Sequence, residues 1–436
     1  MSKSLQKTVA SVVVIAMGTA VPAWAGSTME RVSVGTGGVQ GNSDSRQAMI
    51  SAGGRFVVFD SEASNLVPGD TNGVEDVFIR DRWRGTTERV SVSSVGIQGN
   101  AESHFPSLSA EGRFVAFFSG ASNLVPGDTN GATDVFVRDR LKGTTERISV
   151  SSTGVQGNLS SFYAAISANG RFVVFGSDAN NLVPGDTNDS TDVFVHDRWV
   201  RTTLRVSISS NGTQGNGYSG VEPVAISPDG RFVAFSSVAS NLVPGDTNAS
   251  GDVFLRDRLR DTTERVSVSS AGIQGNGGSS GPSLSSGGRL VVFASEASNL
   301  VPGDANGTID VFLHDRLKGT TKRVSIGVDG EQANGASERP MISANGRFVA
   351  FASGASNLVP GDTNGFEDTF VRDQWWGMTE RVSVARNNSQ GNNSSFSAAI
   401  SPGGRFTTFG SVANNLVPGD TNGVADMFIR DRGLLP

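Results

Sequence analysis

The chain of 436 residues has no cysteine, only two tyrosines and only three histidines. The missing cysteine excludes disulfides, thiolate metal sites and lipid attachment at an N-terminal lipobox. His104, His196 and His314 lie far apart in the sequence, so a histidine-rich metal centre is excluded as well. No Gly-x-Ser-x-Gly elbow and no Asp-box is present. Long apolar runs are absent except at the start, where residues 9–21 are apolar or small. Thirteen residues are too few to span a bilayer. With Lys3 and Lys7 before them and Ala23-Trp24-Ala25 after, they read as a signal peptide over residues 1–25. The expected chain is therefore exported, to the periplasm or the medium, with no membrane span. Its removal takes two lysines, leaving 34 basic against 42 acidic residues. That balance, with no basic run, excludes nucleic acid as a partner.

Repetition dominates what is there. Gly-Arg-Phe-Val-Val-Phe at 54–59 has counterparts beginning at Gly112, Gly170, Gly230, Gly288, Gly346 and Gly404. The spacing is 58 residues throughout, except for 60 between the third and fourth starts. Seven such units account for residues 26–436, which are expected to form a single domain.

Each unit reads as four strands. In the first, the innermost is 48–51, followed by the turn Gly53-Gly54 and an apolar second strand at 55–59. Counterpart turns are Glu111-Gly112, Asn169-Gly170 and Asp229-Gly230, pairs that favour a tight hairpin. The third strand is 76–81 and the fourth, with alternating polarity, 88–92. Burial is thus predicted to fall from the middle of the unit outward. The last unit lacks a fourth strand, while an orphan one stands at 30–34. The expectation is an all-β, seven-bladed β-propeller of four-stranded blades. Its ring is closed by the N-terminal strand, which completes the last blade.

Ser-Pro-Asp-Gly-Arg-Phe-Val-Ala-Phe at 227–235 and its six relatives resemble the WD40-like repeats of TolB-type propellers. The resemblance spans all seven units and implies a propeller but no particular activity. Members of that family commonly have six blades, and TolB carries an additional α/β domain with no counterpart here.

Two long loops recur in every unit, expected on one face. The first holds the frame Asp-x-Asn-x-x-x-Asp: Asp70/Asn72/Asp76, Asp128/Asn130/Asp134, Asp186/Asn188/Asp192, Asp246/Asn248/Asp252, Asp304/Asn306/Asp310, Asp362/Asn364/Asp368 and Asp420/Asn422/Asp426. Oxygen ligands at one, three and seven along a tight loop suit Ca²⁺. The same residues also favour turns by bonding their own backbone. Calcium is the cofactor expected here. The second loop carries Gln40-Gly41-Asn42 and six counterparts, read as a structural tie to the neighbouring acidic loop.

A recurrent Ser follows that loop, and then the units diverge. Arg46, Gln47, His104, Phe105, Phe162, Tyr163, Glu222, Glu338, Arg339 and Phe396 enter the innermost strands and are predicted to ring the channel mouth. Trp83, Trp199 and Trp375 share a position with Leu141, Leu259 and Leu317, which reads as a packing contact; Trp376 is expected to be exposed. No catalytic constellation emerges. The function expected is a non-catalytic binding or scaffold module, a monomer, taking a protein or glycan ligand at the mouth. The alternative is a secreted polysaccharide lyase or hydrolase at the same place.

Overall fold

The glycine of each Gly-Arg turn occupies a place closed to other residues. Gly112 has φ +74°, and a Cβ there would lie 2.3 Å from the ring of Phe56 in the preceding blade. Left-handed backbone and close approach thus coincide at the contact between blades. The computed structural model of the chain describes residues 27–433; the segment read as a signal peptide lies outside the described residues.

The first blade comprises β2 (Ser45–Ile50), β3 (Phe56–Ser61), β4 (Asp76–Asp81) and β5 (Thr86–Arg89), paired in that order. The neighbouring strands are antiparallel. The pattern repeats in seven four-stranded sheets, making a seven-bladed β-propeller. The last sheet runs β26 (Ser395–Ile400), β27 (Phe406–Ser411), β28 (Asp426–Asp431) and then β1 (Thr28–Arg31). Thr28 stands opposite Asp431 and Arg31 opposite Phe428, so the first strand completes the last blade as expected. The pairing continues past β1, with Val32 N donating to the Met427 carbonyl at 2.8 Å.

Burial follows the predicted gradient. β4 is buried throughout, whereas β5 buries one residue in four. Each blade stacks one second-strand Phe on one third-strand Phe, as Phe59 does on Phe78 at 6.1 Å between centroids. The apolar core lies between blades: Val58, Val77 and Ile79 meet Val115, Phe117 and Phe136 of the next sheet. Arg82 reaches back to Glu30 (2.8 Å) and Arg140 to Glu88, and Arg198, Arg316 and Arg432 do the same, so five of the seven outer edges are tied to a neighbour. In the Arg80-Asp81-Arg82 run, Arg80 is only 7% exposed. It donates to the Gly35 carbonyl and to Thr87.

Several strand bounds differ from the sequence expectation: the second strand runs 56–61 rather than 55–59 and the N-terminal strand 28–31 rather than 30–34. The innermost strand starts at Ser45 rather than 48, because a bulge between Arg46 and Met49 lets pairing run on. The fourth occupies 86–89 rather than 88–92. Val90 still bonds the Val77 carbonyl, but Ser91 then turns its hydroxyl inward onto Asp76.

Candidate functional site: a symmetric collar and an asymmetric mouth

Each acidic frame is filled by a cation that the chain itself supplies. Arg89, at the end of β5, lies 3.2 Å from Asp70 and 3.3 Å from Asp76. The same pairing joins Arg31 to Asp420 and Asp426, Arg147 to Asp128 and Asp134, and Arg205 to Asp186 and Asp192. Arg265, Arg323 and Arg381 complete the set with Asp246/Asp252, Asp304/Asp310 and Asp362/Asp368. The asparagine of the frame turns its amide nitrogen, not its oxygen, towards the last Asp: Asn72 Nδ2 donates to Asp76 at 2.8 Å and Asn364 to Asp368 at 2.8 Å. Asn130, Asn188, Asn248, Asn306 and Asn422 do the same. A Ca²⁺ ligand must present oxygen. Each predicted calcium frame thus holds a guanidinium, and its asparagine presents an amide nitrogen to the last Asp. Burial raises the carboxyl pKa of Asp70 and Asp76, against the pull of Arg89 and, at Asp76, of the Ser91 hydroxyl.

The second loop fulfils its structural reading. Gln156 Nε2 donates to Asp128 at 2.9 Å and Gln332 to Asp304 at 2.8 Å, while Gln390 accepts from Arg381 at 2.9 Å. The seven acidic loops form a repeated, ion-paired collar around one face.

The mouth breaks the symmetry. In six blades the innermost strand carries a register shift, and the residue just inside it has a positive φ: Gln47 50°, Phe105 48°, Tyr163 51°, Gly281 60°, Arg339 51° and Ser397 52°. Non-glycine residues held in that region are strained by roughly 1–3 kcal/mol each. All six line a central cavity of about 720 Å³, together with Glu222 and Glu338. The fourth blade departs from this pattern because its two-residue insertion shortens the inner strand to Ala225–Ile226. There Glu222 accepts from Gly281 N of the next blade at 3.3 Å.

Of the ten residues predicted at the mouth, Gln47, Phe105, Tyr163, Glu222, Glu338 and Arg339 line the cavity. Arg46, His104, Phe162 and Phe396 do not. They precede the bulge, as Glu338 does, but of these five side chains only that of Glu338 reaches the cavity. Arg46 pairs with Asp44 at 2.9 Å. Phe162 and Phe396 cover Gly176 and Gly410, where an added Cβ would come within 3.0 and 2.4 Å of their rings. His104 lies between Glu75 (3.2 Å) and Glu102 (3.3 Å), and the hydrogen bond it donates to Glu75 raises its pKa despite burial.

The cavity wall is aromatic on one side. Phe105 meets Tyr163 edge-on at 5.0 Å, with Phe118 behind both. Across the ring, in the sixth blade, stand Glu338 and Arg339; Arg339 donates to Ser397 at 2.8 Å.

The tryptophan position is a correction. Trp83, Leu141, Trp199, Leu259, Leu317 and Trp375 are 64–79% exposed, so they are not packed beneath the turn. Their backbone direction is fixed by the turn, and Arg55 covers only one face of Trp83, at 5.1 Å. Trp376 is exposed, as expected.

No protein-family model matches the chain, and no curated protein is similar to it. Solved structures are. The chain is similar to the propeller domain of the trilobed protease from Pyrococcus furiosus, at 9% identity and a TM-score of 0.55, over 89% of this chain and 93% of that one. It is similar to an oligogalacturonate lyase in complex with manganese, at 12% identity and a TM-score of 0.51, over 93% and 90%. A putative TolB from Agrobacterium tumefaciens aligns at 13% identity and a TM-score of 0.41, over 79% and 93%. The likeness is one of fold. The propeller implied by the WD40-like repeat is what these structures share. The trilobed protease domain has an open velcro topology, whereas here β1 fastens the ring.

Proposed function

We propose that this chain is an exported, non-catalytic binding module whose ligand enters the central cavity. The observation that carries the reading is the contrast between the two parts of one face. Seven acidic loops repeat one arrangement and spend their charges on internal arginines. The mouth inside them differs from blade to blade, and its divergent residues are held inward by strained backbone. Sevenfold repetition serves the fold; a ligand needs unlike groups placed opposite one another. An aromatic wall facing a carboxylate and a guanidinium suits a short glycan, stacked on Phe105 and Tyr163 and hydrogen-bonded by Glu338 and Arg339. A peptide end is the second candidate.

In this reading calcium has no place in the collar, because the guanidinium of Arg89 or its counterpart already occupies each frame. The competing reading, a lyase or hydrolase at the same mouth, requires turnover of the bound glycan. A glycan and peptidoglycan-fragment array, followed by calorimetry on each hit, tests the proposal. Replacing Tyr163, Glu338 and Arg339 together by Ala should abolish binding of any hit, and bound glycans should be recovered intact. Undiminished affinity in the triple variant would refute the site, and release of product would favour the enzyme.

A further inference from the structure

Among the described residues, one group of metal-capable side chains places three ligand atoms within 4.8 Å of one another: Asp60, Glu75 and His104. Asp60 is on β3 and Glu75 immediately precedes β4, both in the first blade. His104 is on β6 (Ser103–Leu108), the innermost strand of the second. The site therefore straddles a blade junction, fixed by sheet on both sides, and Ser103 N bonds the Glu75 carbonyl at 2.9 Å.

Three observations point to a cation. Asp60 is 1% exposed; its Oδ2 accepts from Phe105 N at 3.0 Å, but its Oδ1 is buried without a partner. A buried carboxylate oxygen left bare is strongly unfavourable unless a proton or a cation meets it. His104 Nδ1 lies 3.2 Å from Glu75 Oε2. Two ligands at zinc-bond length on a tetrahedral ion stand roughly 3.4 Å apart, so this pair already spans one edge of such a shell. The other ring nitrogen, Nε2, faces Glu102 at 3.3 Å, the carboxylate–imidazole arrangement that orients a metal-bound histidine.

The fold does not require these residues. The place of Asp60 is taken by Phe118, Gly176, Ser236, Ala294, Ala352 and Gly410 in the other blades. At the place of His104, other blades have Arg46, Phe162, Ser280, Glu338 and Phe396. Among the second-strand positions that pair with the start of β4-type strands, Asp60 is the one acid in seven units.

We propose that Asp60, Glu75 and His104 form a site for one divalent transition-metal ion of the Zn²⁺ or Mn²⁺ class. It is bound through one imidazole nitrogen and two carboxylate oxygens, with Glu102 behind the imidazole. An imidazole among three protein ligands selects against Ca²⁺ and Mg²⁺, which take shells of oxygen. Three protein ligands leave at least one position open on the ion. The site is separate from the cavity, though Phe105, whose amide binds Asp60, lines that cavity.

The test uses the full chain without an affinity tag, stripped by chelation, then titrated with ZnCl₂ and MnCl₂ by calorimetry and counted by elemental analysis after dialysis. One equivalent per chain should bind at micromolar concentration or tighter. His104→Phe and Asp60→Ala place at each position a residue that another blade carries there, so both should fold. Each should weaken binding at least about 100-fold, and Glu102→Gln by about tenfold. If Asp60→Ala fails to fold, His104→Phe alone decides. Neither metal binding at 0.1 mM, or His104→Phe binding as tightly as the unmodified chain, would overturn the site. So would Ca²⁺ binding that depends on the same residues.

Discussion

Arg31, at the end of the first strand, donates to Asp426, at the start of the last, across 3.0 Å and 395 residues of sequence. The contact is the same arginine–aspartate joint that the other six blades make within themselves. The ring is closed by an ordinary member of its own repeat, borrowed from the other terminus. Deleting residues 28–34 should therefore remove cooperative unfolding, because it strips the outer edge of the last blade and exposes β28. Circular dichroism melts and limited proteolysis would register this; a deletion variant that melts like the full chain would show the ring to be held elsewhere.

The collar should be indifferent to calcium. Seven sites of about 0.1 mM affinity at about 1 mM Ca²⁺ would add roughly 10 kcal/mol, or about 10 °C in Tm for a chain of this size. With a guanidinium in every frame, melting temperatures in EDTA and in millimolar Ca²⁺ should agree within about 1 °C. Differential scanning calorimetry in the two buffers decides it.

Turn glycines should be intolerant in proportion to what they touch. Gly112→Ala places a Cβ at positive φ against the Phe56 ring. It should cost at least about 2 kcal/mol, of which the left-handed backbone accounts for roughly 1–2. Gly53→Ala, with open space around it, should be close to neutral. Urea midpoints of the two variants give the comparison.

Acid should weaken the other face. Asp81 accepts from Arg55 at 2.6 Å and from the amides of Trp83 and Arg84, which holds its carboxyl below the ordinary range. A folded-state pKa below the unfolded value, about 3.9, means the pair stabilises fully above pH 4 and loses its effect as pH falls through the folded value. Asp81→Asn should lower Tm at pH 7, and the difference should shrink as pH falls below 4. A constant difference across that range would show that shape rather than charge is at work.

Much of this was legible in the residues. Period, blade count and closure followed from Gly54 and its counterparts and from the orphan strand at 30–34, because a repeat must state its packing in every copy. The arginine in the collar was missed for a physical reason. Asp70, Asn72 and Asp76 show their spacing along the chain, but the cation that fills them, Arg89, comes from another strand. Its recurrence as Arg31, Arg147, Arg205, Arg265, Arg323 and Arg381 was the available signal. Which of two adjacent residues faces the cavity was not legible, because a bulge inverts the alternation at Gln47, Phe105 and Tyr163. Asp60 was missed although it stands out: one carboxylate at a position that is otherwise Phe, Gly, Ser or Ala.

On the proposed function, the ligand is held where the repetition ends. The most direct measurement compares ligand binding by the unmodified chain, by a mouth variant (Tyr163→Ala, Glu338→Ala, Arg339→Ala) and by a collar variant (Asp246→Asn, Asp252→Asn). The mouth variant should keep the fold and lose the ligand, whereas the collar variant should lose stability and, while folded, keep its affinity. Binding that survives in the mouth variant and disappears in the folded collar variant would contradict the proposed function.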